Sequence, residues 1–152
     1  MKIIAESVEQ TILIGEKLGA LVNSGDIVCL TGDLGTGKTH FVKGFAKGLN
    51  IHEYITSPTF TIVNEYQGRL KLYHFDVYRV DDPDEIHAIG FDEYIFSSAV
   101  SIIEWANFIE ELIPAESIRV NIVKVPIKGD DYREIEISYK GERYNYVKEI
   151  NL

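Results

Sequence analysis

Gly32-Asp33-Leu34-Gly35-Thr36-Gly37-Lys38-Thr39 fits the pattern G-x-x-x-x-G-K-[ST] of a phosphate-binding P-loop. The flanks suit it. Residues 26–31, Asp-Ile-Val-Cys-Leu-Thr, are short and apolar, as a buried strand is. Residues 38–49 carry Phe41, Val42, Phe45 and Leu49 at helical spacing. Strand, glycine-rich loop and helix therefore occur in the order that phosphate binding needs. Glycines let backbone N–H groups converge on phosphate oxygens, and the helix N-terminus adds positive partial charge there. Asp33, Leu34, Gly35, Thr36, Gly37, Lys38, Thr39 and His40 are the expected nucleotide-binding run. Lys38 is expected to bridge the β- and γ-phosphates, and the Thr39 hydroxyl to ligate Mg²⁺.

The whole chain narrows the class. Its 152 residues suffice for one domain with a sizeable core. No apolar run approaches the ~20 residues that span a bilayer. The start lacks the apolar stretch of a signal peptide, and the lone Cys29 lies in the predicted central strand. The expectation is a cytoplasmic protein without membrane contact. Fifteen basic against twenty-four acidic side chains give a net charge of −9. With no basic run, strong direct binding to nucleic acid is not expected.

Outward from the P-loop, residues 2–5 read as a short strand. Ser7 then caps a helix, with Gln10 completing a capping box. Val8, Ile12, Gly15, Leu18 and Val22 fall on one face, and Gly25 ends it. Beyond the P-loop helix, the hydroxyl-rich loop Thr56-Ser57-Pro58-Thr59-Phe60-Thr61 stands where nucleotide switches keep a threonine that senses Mg²⁺ and γ-phosphate. Residues 61–66 and 69–75 read as a hairpin turning at Gln67-Gly68. Its second strand runs into His74-Phe75-Asp76-Val77-Tyr78-Arg79. Asp76 is a candidate Mg²⁺-linked or water-positioning carboxylate, and His74 reads as packed or hydrogen-bonded in preference to a catalytic base. Asp82 and Pro83 open another helix, ended by Gly90, and residues 91–96 form a short segment.

Residues 99–105, Ala-Val-Ser-Ile-Ile-Glu-Trp, are a near-continuous apolar run ending in an acid. That suits a strand buried on both faces of a parallel sheet, with Glu104 at the edge where α/β sheets bind ligands. Glu104 is expected to hold Mg²⁺ directly or through water, and Trp105 to lie near the nucleotide. A short helix over 108–113 follows. Residues 118–127, 132–139 and 144–150 read as strands of an antiparallel addition to the sheet. The fold class expected is α/β: a three-layer P-loop NTPase-like domain, 1–152, with a mixed sheet, a parallel core and antiparallel additions.

Taken together, the P-loop, Ser57-Pro58-Thr59-Phe60-Thr61, His74-Phe75-Asp76-Val77-Tyr78-Arg79 and Ile103-Glu104-Trp105 resemble, in order and spacing, the TsaE (YjeE) family of small bacterial P-loop ATPases. Thr36 and His40 stand where that family is expected to carry Ala and Thr; phosphate binding tolerates both. The resemblance implies an Mg²⁺-dependent ATPase in tRNA threonylcarbamoyladenosine synthesis, slow alone and dependent on partners. Those partners are the TsaD and TsaB proteins, which meet the tRNA. It implies Lys38, Asp76 and Glu104 as catalytic residues, and Thr39 and Glu104 at Mg²⁺. Ser57, Thr59 and Thr61 form one switch, and His74, Tyr78 and Arg79 another. It places adenine near Ser7, Val8 and Arg133.

Three other readings compete. A small-molecule kinase needs clustered lid arginines, and the five arginines here are scattered. A GTPase needs an Asn-Lys-x-Asp motif, which is absent, so adenine is favoured. A nucleotide-gated binding module that barely hydrolyses ATP stays compatible with the motifs.

Overall fold

A computed structural model describes residues 1–58 and 60–151. The chain runs β1 (Lys2–Ala5), α1 (Val8–Leu21), β2 (Ile27–Thr31), α2 (Lys38–Gly48), β3 (Val63–Gln67), β4 (Lys71–Asp76), α3 (Pro83–Ala88), α4 (Phe91–Ile95), β5 (Val100–Glu104), β6 (Ile118–Lys124) and β7 (Arg133–Tyr139). Three 3₁₀ helices cover Ala106–Leu112, Pro126–Lys128 and Glu142–Glu149. The strands form a seven-stranded sheet in the order β1-β7-β6-β2-β5-β4-β3. Its core, β6-β2-β5-β4, is parallel, and β3, β7 and β1 add antiparallel edges.

The central strands β2 and β5 are apolar but for Ser101 and their closing residues Thr31 and Glu104, because both faces are covered. Val28, Leu30 and Ile102 turn toward α1 and α2, where Ile14, Leu18, Phe41 and Phe45 complete one core. Cys29, Phe75 and Ile103 turn the other way and meet Ile86, Phe91, Ile95 and Ile109 from α3, α4 and the 3₁₀ helix after β5. The three layers expected of the fold class are thus present.

The α1–α2 contact is closer than side chains permit. Cβ atoms added to Gly15 and Gly19 would stand 2.3 and 2.1 Å from the carbonyl oxygens of Phe41 and Phe45. At Gly44 and Gly48 they would stand 1.9 and 2.2 Å from those of Ile12 and Glu16. Two glycines four residues apart on each helix make this contact, so the buried face of α1 is Thr11, Ile14, Gly15, Leu18 and Gly19. It is turned from the expected stripe, and Ile12 is only half-buried. Ser7 caps α1 as expected, accepting from Gln10 N at 3.2 Å. The return bond of the expected capping box is shifted by one residue: Glu6 N, not Ser7 N, donates to Gln10 Oε1, at 2.7 Å.

The strand expected over 144–150 is instead the 3₁₀ helix Glu142–Glu149. Two physical reasons account for this. Tyr144, Val147 and Ile150 bury at a period of three, which matches a 3₁₀ turn. The free edge of β7 is already taken by β1. This terminal helix is tied to the start of β2. Buried Asp26 accepts from Arg143 Nη2 at 2.8 Å, from the Tyr146 hydroxyl and from Asn23 N at 2.8 Å. Ile27 N donates to the Tyr144 hydroxyl oxygen at 3.1 Å.

Candidate nucleotide site

The loop between β2 and α2 folds as its glycines require. Gly32, Gly35 and Gly37 all have positive φ. At Gly32 (φ +148°) an added Cβ would stand 2.6 Å from the Ile122 carbonyl oxygen, so β6 backs the loop closely. Gly37, at φ +100°, is the N-cap of α2. Lys38, the first residue of α2, curls over the loop and donates to Gly32 O at 2.6 Å and Asp33 O at 2.9 Å. Its Nζ also lies 4.2 Å from the centre of the Trp105 ring. Burial pushes the Lys38 ammonium below the usual lysine range, and the charges of Glu104, Asp76 and Asp33 oppose that shift.

Strand register brings the carboxylates together. Asp76 closes β4 and Glu104 closes β5, and the two are register partners on neighbouring parallel strands. Glu104 in turn pairs with Leu30 on β2, one residue before the loop's approach begins. Asp76 and Glu104 are 7% and 3% exposed. Asp76 Oδ1 accepts from Tyr78 N at 2.9 Å, and Ser57 Oγ lies 3.5 Å from Asp76 Oδ2. Glu104 Oε2 lies 2.6 Å from Nε2 of the fully buried His74.

Trp105 follows with φ +61°, in a left-handed conformation rare for an aromatic residue. Its N–H donates to Leu30 O at 3.0 Å, which pins the turn to β2. Its ring packs in a three-membered aromatic cluster with Tyr78 and Phe108, with centroids at 4.6 and 5.4 Å, and those two rings lie 6.1 Å from each other. The wall beside Lys38 is thus held by aromatic packing.

These groups line a cavity of about 480 Å³. Of the expected site residues it includes Val8, Leu34, Gly35, Gly37, Lys38, Thr39 and His40 from the front of the chain. Ser57, Asp76, Tyr78, Arg79, Glu104, Trp105 and Arg133 complete the set. Asp33 and Thr36 line a neighbouring hollow, also about 480 Å³, which shares the Trp105 wall. Ser7 is the cap of α1, one residue from the lining. Thr61 Oγ1 lies 3.0 Å from Asn64 Oδ1, turned to its own hairpin. Thr59 lies outside the described residues. His74 sits beneath the cavity, behind Glu104. Arg133 donates through Nε to Thr36 O at 2.6 Å and through Nη1 to Asp130 O at 2.6 Å, so it braces the P-loop against the β6–β7 connection. The Arg79 guanidinium rests 4.8 Å over the exposed Phe60 ring, joining the two expected switch segments.

Sequence reading missed Asp131, which lines the cavity, and Phe108, which completes the aromatic stack. Asp131 reads as one acid of a turn after Gly129, and Phe108 as an ordinary helix start; no local signal marks either.

The donors suit a nucleotide with a hard cation. Lys38 and the N-terminus of α2 face the same space as the Thr39 and Ser57 hydroxyls and the carboxylates of Asp76, Glu104 and Asp131, whose oxygens are donors of the kind Mg²⁺ takes. Among the described residues no group of three or more His, Cys, Asp or Glu side chains could cage a metal alone. A cation here would share phosphate oxygens and water, which is the usual habit of Mg²⁺.

A mixed sheet with a parallel core, a glycine-rich loop between β2 and α2, and acids closing β5 and β4, the next two strands on one side of β2, define a P-loop type of α/β domain. Solved-structure comparison agrees. The crystal structure of YdiB from Bacillus subtilis superposes with a TM-score of 0.84 at 41% identity, covering 98% of this chain and 91% of that one. The family model described as threonylcarbamoyl adenosine biosynthesis protein TsaE matches residues 5–135, and the chain belongs to the TsaE family. Among curated relatives named tRNA threonylcarbamoyladenosine biosynthesis protein TsaE, that of Bacillus subtilis (strain 168) is 46% identical, over 93% of this chain and 87% of its own length. That of Treponema pallidum (strain Nichols) is 38% identical, over 91% of this chain and 100% of its own length. No helix among the described residues is long and apolar enough to cross a membrane.

Proposed function

We propose that residues 1–152 form a single cytoplasmic domain that binds ATP with Mg²⁺ and hydrolyses it slowly. On this reading it serves tRNA threonylcarbamoyladenosine synthesis by acting on a TsaD–TsaB complex so that the complex turns over repeatedly. The observation that carries the proposal is the convergence of Lys38, Thr39, Asp76 and Glu104 on one cavity at the N-terminus of α2. The names of the curated relatives supply the process.

Each residue has a role. Backbone N–H groups of residues 33–40 and the Lys38 ammonium hold the phosphates, the ammonium exchanging the Gly32 and Asp33 carbonyls for phosphate oxygens. Thr39 and Glu104 hold Mg²⁺, which when bound neutralises charge on the phosphates. Asp76, on the adjacent strand end, positions the attacking water. Ser57 and Thr59, with Tyr78 and Arg79, respond to the γ-phosphate, and Thr61 does so after leaving Asn64. Val8, Asp131 and Arg133 border the adenine side. Arg133 and Arg79 are the cavity's arginines, and both are engaged elsewhere, which weighs against the clustered phosphate clamp of a kinase. The charge of −9 leaves tRNA to the partners.

The test is ATP hydrolysis by this chain alone and with TsaD and TsaB added. Hydrolysis that rises in the complex and vanishes with Lys38→Ala is expected. An unchanged rate in the complex, or phosphate passed to a small metabolite, would overturn the proposal.

A further inference from the structure

His74 reads from its own stretch as packed or hydrogen-bonded and from the resemblance as a switch residue, and it does not line the cavity. Its geometry is nevertheless specific. It lies two residues before Asp76 on β4, opposite Ile102 on β5, so its side chain shares a sheet face with Asp76 and Glu104. Its ring is fully buried, and Nε2 is 2.6 Å from Glu104 Oε2. Nδ1 is buried with no hydrogen-bond partner among the described residues. The Glu104 carboxylate oxygen accepts, so the nitrogen facing it carries the hydrogen, and a proton on Nδ1 would add a buried donor with nothing to receive it. The tautomer is therefore the one in which Nε2–H donates to the carboxylate. This bond occupies one Glu104 oxygen from behind. Oε1 is left to the cavity that Glu104 lines. A glutamate has three rotatable bonds, and an unfixed one would swing toward Lys38 or away from Asp76. The bond removes that freedom.

We infer that His74 is a positioning residue: its Nε2–H clamps Oε2 of Glu104, presents Oε1 to the divalent cation that accompanies the nucleotide, and so sets the cation affinity of the site. The inference rests on the reading that Glu104 holds that cation. Groups that orient a metal's ligands commonly account for 10–100-fold in metal affinity. Because His74 touches neither nucleotide nor cation, its loss acts on the cation dependence of binding and spares the phosphate cradle.

The experiment uses the full chain with ATP and Mg²⁺. Calorimetry gives the ATP Kd in EDTA and again at stepped Mg²⁺, for the unaltered chain and for Glu104→Gln, His74→Ala, His74→Asn and His74→Gln. Gln reaches about as far as Nε2 and carries an N–H donor there; Asn is polar but too short. Thermal unfolding of each variant is measured alongside. The expected result is an apparent Mg²⁺ affinity roughly 10–100-fold weaker in His74→Ala and His74→Asn, recovered to within about threefold in His74→Gln. Metal-free ATP affinity stays within about twofold in all three. If His74→Ala does not fold, the contrast between Asn and Gln carries the test alone. Loss of metal-free and Mg²⁺-dependent binding in parallel, with Gln no better than Asn, would reduce His74 to packing and overturn the inference. So would unaltered Mg²⁺ dependence in His74→Asn while Glu104→Gln loses it; that outcome leaves the role of Glu104 standing. Unaltered Mg²⁺ dependence in Glu104→Gln overturns both.

Discussion

Gly44→Ala sets two effects of opposite sign against each other. Intrinsic helix propensity favours Ala over Gly by about 1 kcal/mol, so a solvent-facing helical glycine would stabilise the protein when replaced. At Gly44 the new methyl would stand 1.9 Å from the Ile12 carbonyl oxygen, where ordinary contact begins at 3.4 Å. The obstacle is backbone, so no rotamer change relieves it. Either α1 and α2 part by more than an ångström, opening the packing of Ile14, Leu18, Phe41 and Phe45, or strain stays in place. Overpacking of this kind costs about 1–3 kcal/mol, and a backbone obstacle belongs at the upper end. The net expectation is a loss of about 2 kcal/mol. For a chain of this size that lowers Tm by roughly 4–8 °C, measured by calorimetry or circular dichroism. Lys47→Ala, on an exposed side chain of the same helix, serves as control and is expected to stay within about 0.5 kcal/mol. A Tm equal to or above that of the unaltered chain would show propensity winning and refute the close-contact reasoning. Because α2 begins at Lys38, parting the helices is also expected to weaken ATP binding.

Lys38→Ala is expected to abolish ATP binding, read by calorimetry; unchanged affinity would sink the P-loop assignment. Trp105 is the only tryptophan and lies against Lys38, so its fluorescence is expected to change on adding ATP in the unaltered chain and to stay constant in Lys38→Ala. Burial pushes the Cys29 thiol up to about 11 from its ordinary value of 9.0, partly opposed by Arg119. The folded state thus holds this proton more tightly than the unfolded state. The stability it contributes is full below pH 9 and is lost as pH rises toward 11. Unfolding measured across that window is expected to show a steeper alkaline loss in the unaltered chain than in Cys29→Ala. Tyr144→Phe leaves the buried Ile27 N–H without its acceptor and is expected to lose about 1–3 kcal/mol in denaturant unfolding, with no change in ATP affinity.

What the sequence revealed and what it hid divide by distance along the chain. The P-loop, the apolar run ending at Glu104 and the Asp82-Pro83 helix start are local patterns, and each appears where periodicity and capping chemistry put it. Contacts between remote residues carry no such mark. Nothing local says that Asp76 and Glu104 are register partners, that His74 meets Glu104 on the neighbouring strand β5, or that Arg133 braces Thr36 from 97 residues away. The helix glycines were visible as residues but not as a pair of four-residue spacings facing each other. The stretch 144–150 misled for a local reason. Its aromatic, β-rich composition suggests a strand, while the three-residue period of Tyr144, Val147 and Ile150 tells of a 3₁₀ helix. That period was legible, and composition outweighed it.

The sheet order explains why the cavity lies where it does and, on the proposed function, why nucleotide and cation would share it. The chain leaves β2 through α2, returns at the sheet's edge as β3 and turns back as β4; β5 then fills the gap between β4 and β2, and β6 crosses to the other side of β2. The strand ends that open around such a reversal form the crevice where α/β sheets hold ligands. Three of them end here in the P-loop, Asp76 and Glu104. Asp76 and Glu104 place negative charge beside the single Lys38 ammonium, whose own pKa burial already depresses, while the lining's Arg79 and Arg133 are turned to Phe60 and Thr36. A polyphosphate arriving alone would meet that negative charge at short range. A divalent cation offsets it. On the proposed function, the same two acids that oppose a bare nucleotide would favour a cation-bound one, and the cavity would discriminate between them without a clustered arginine clamp.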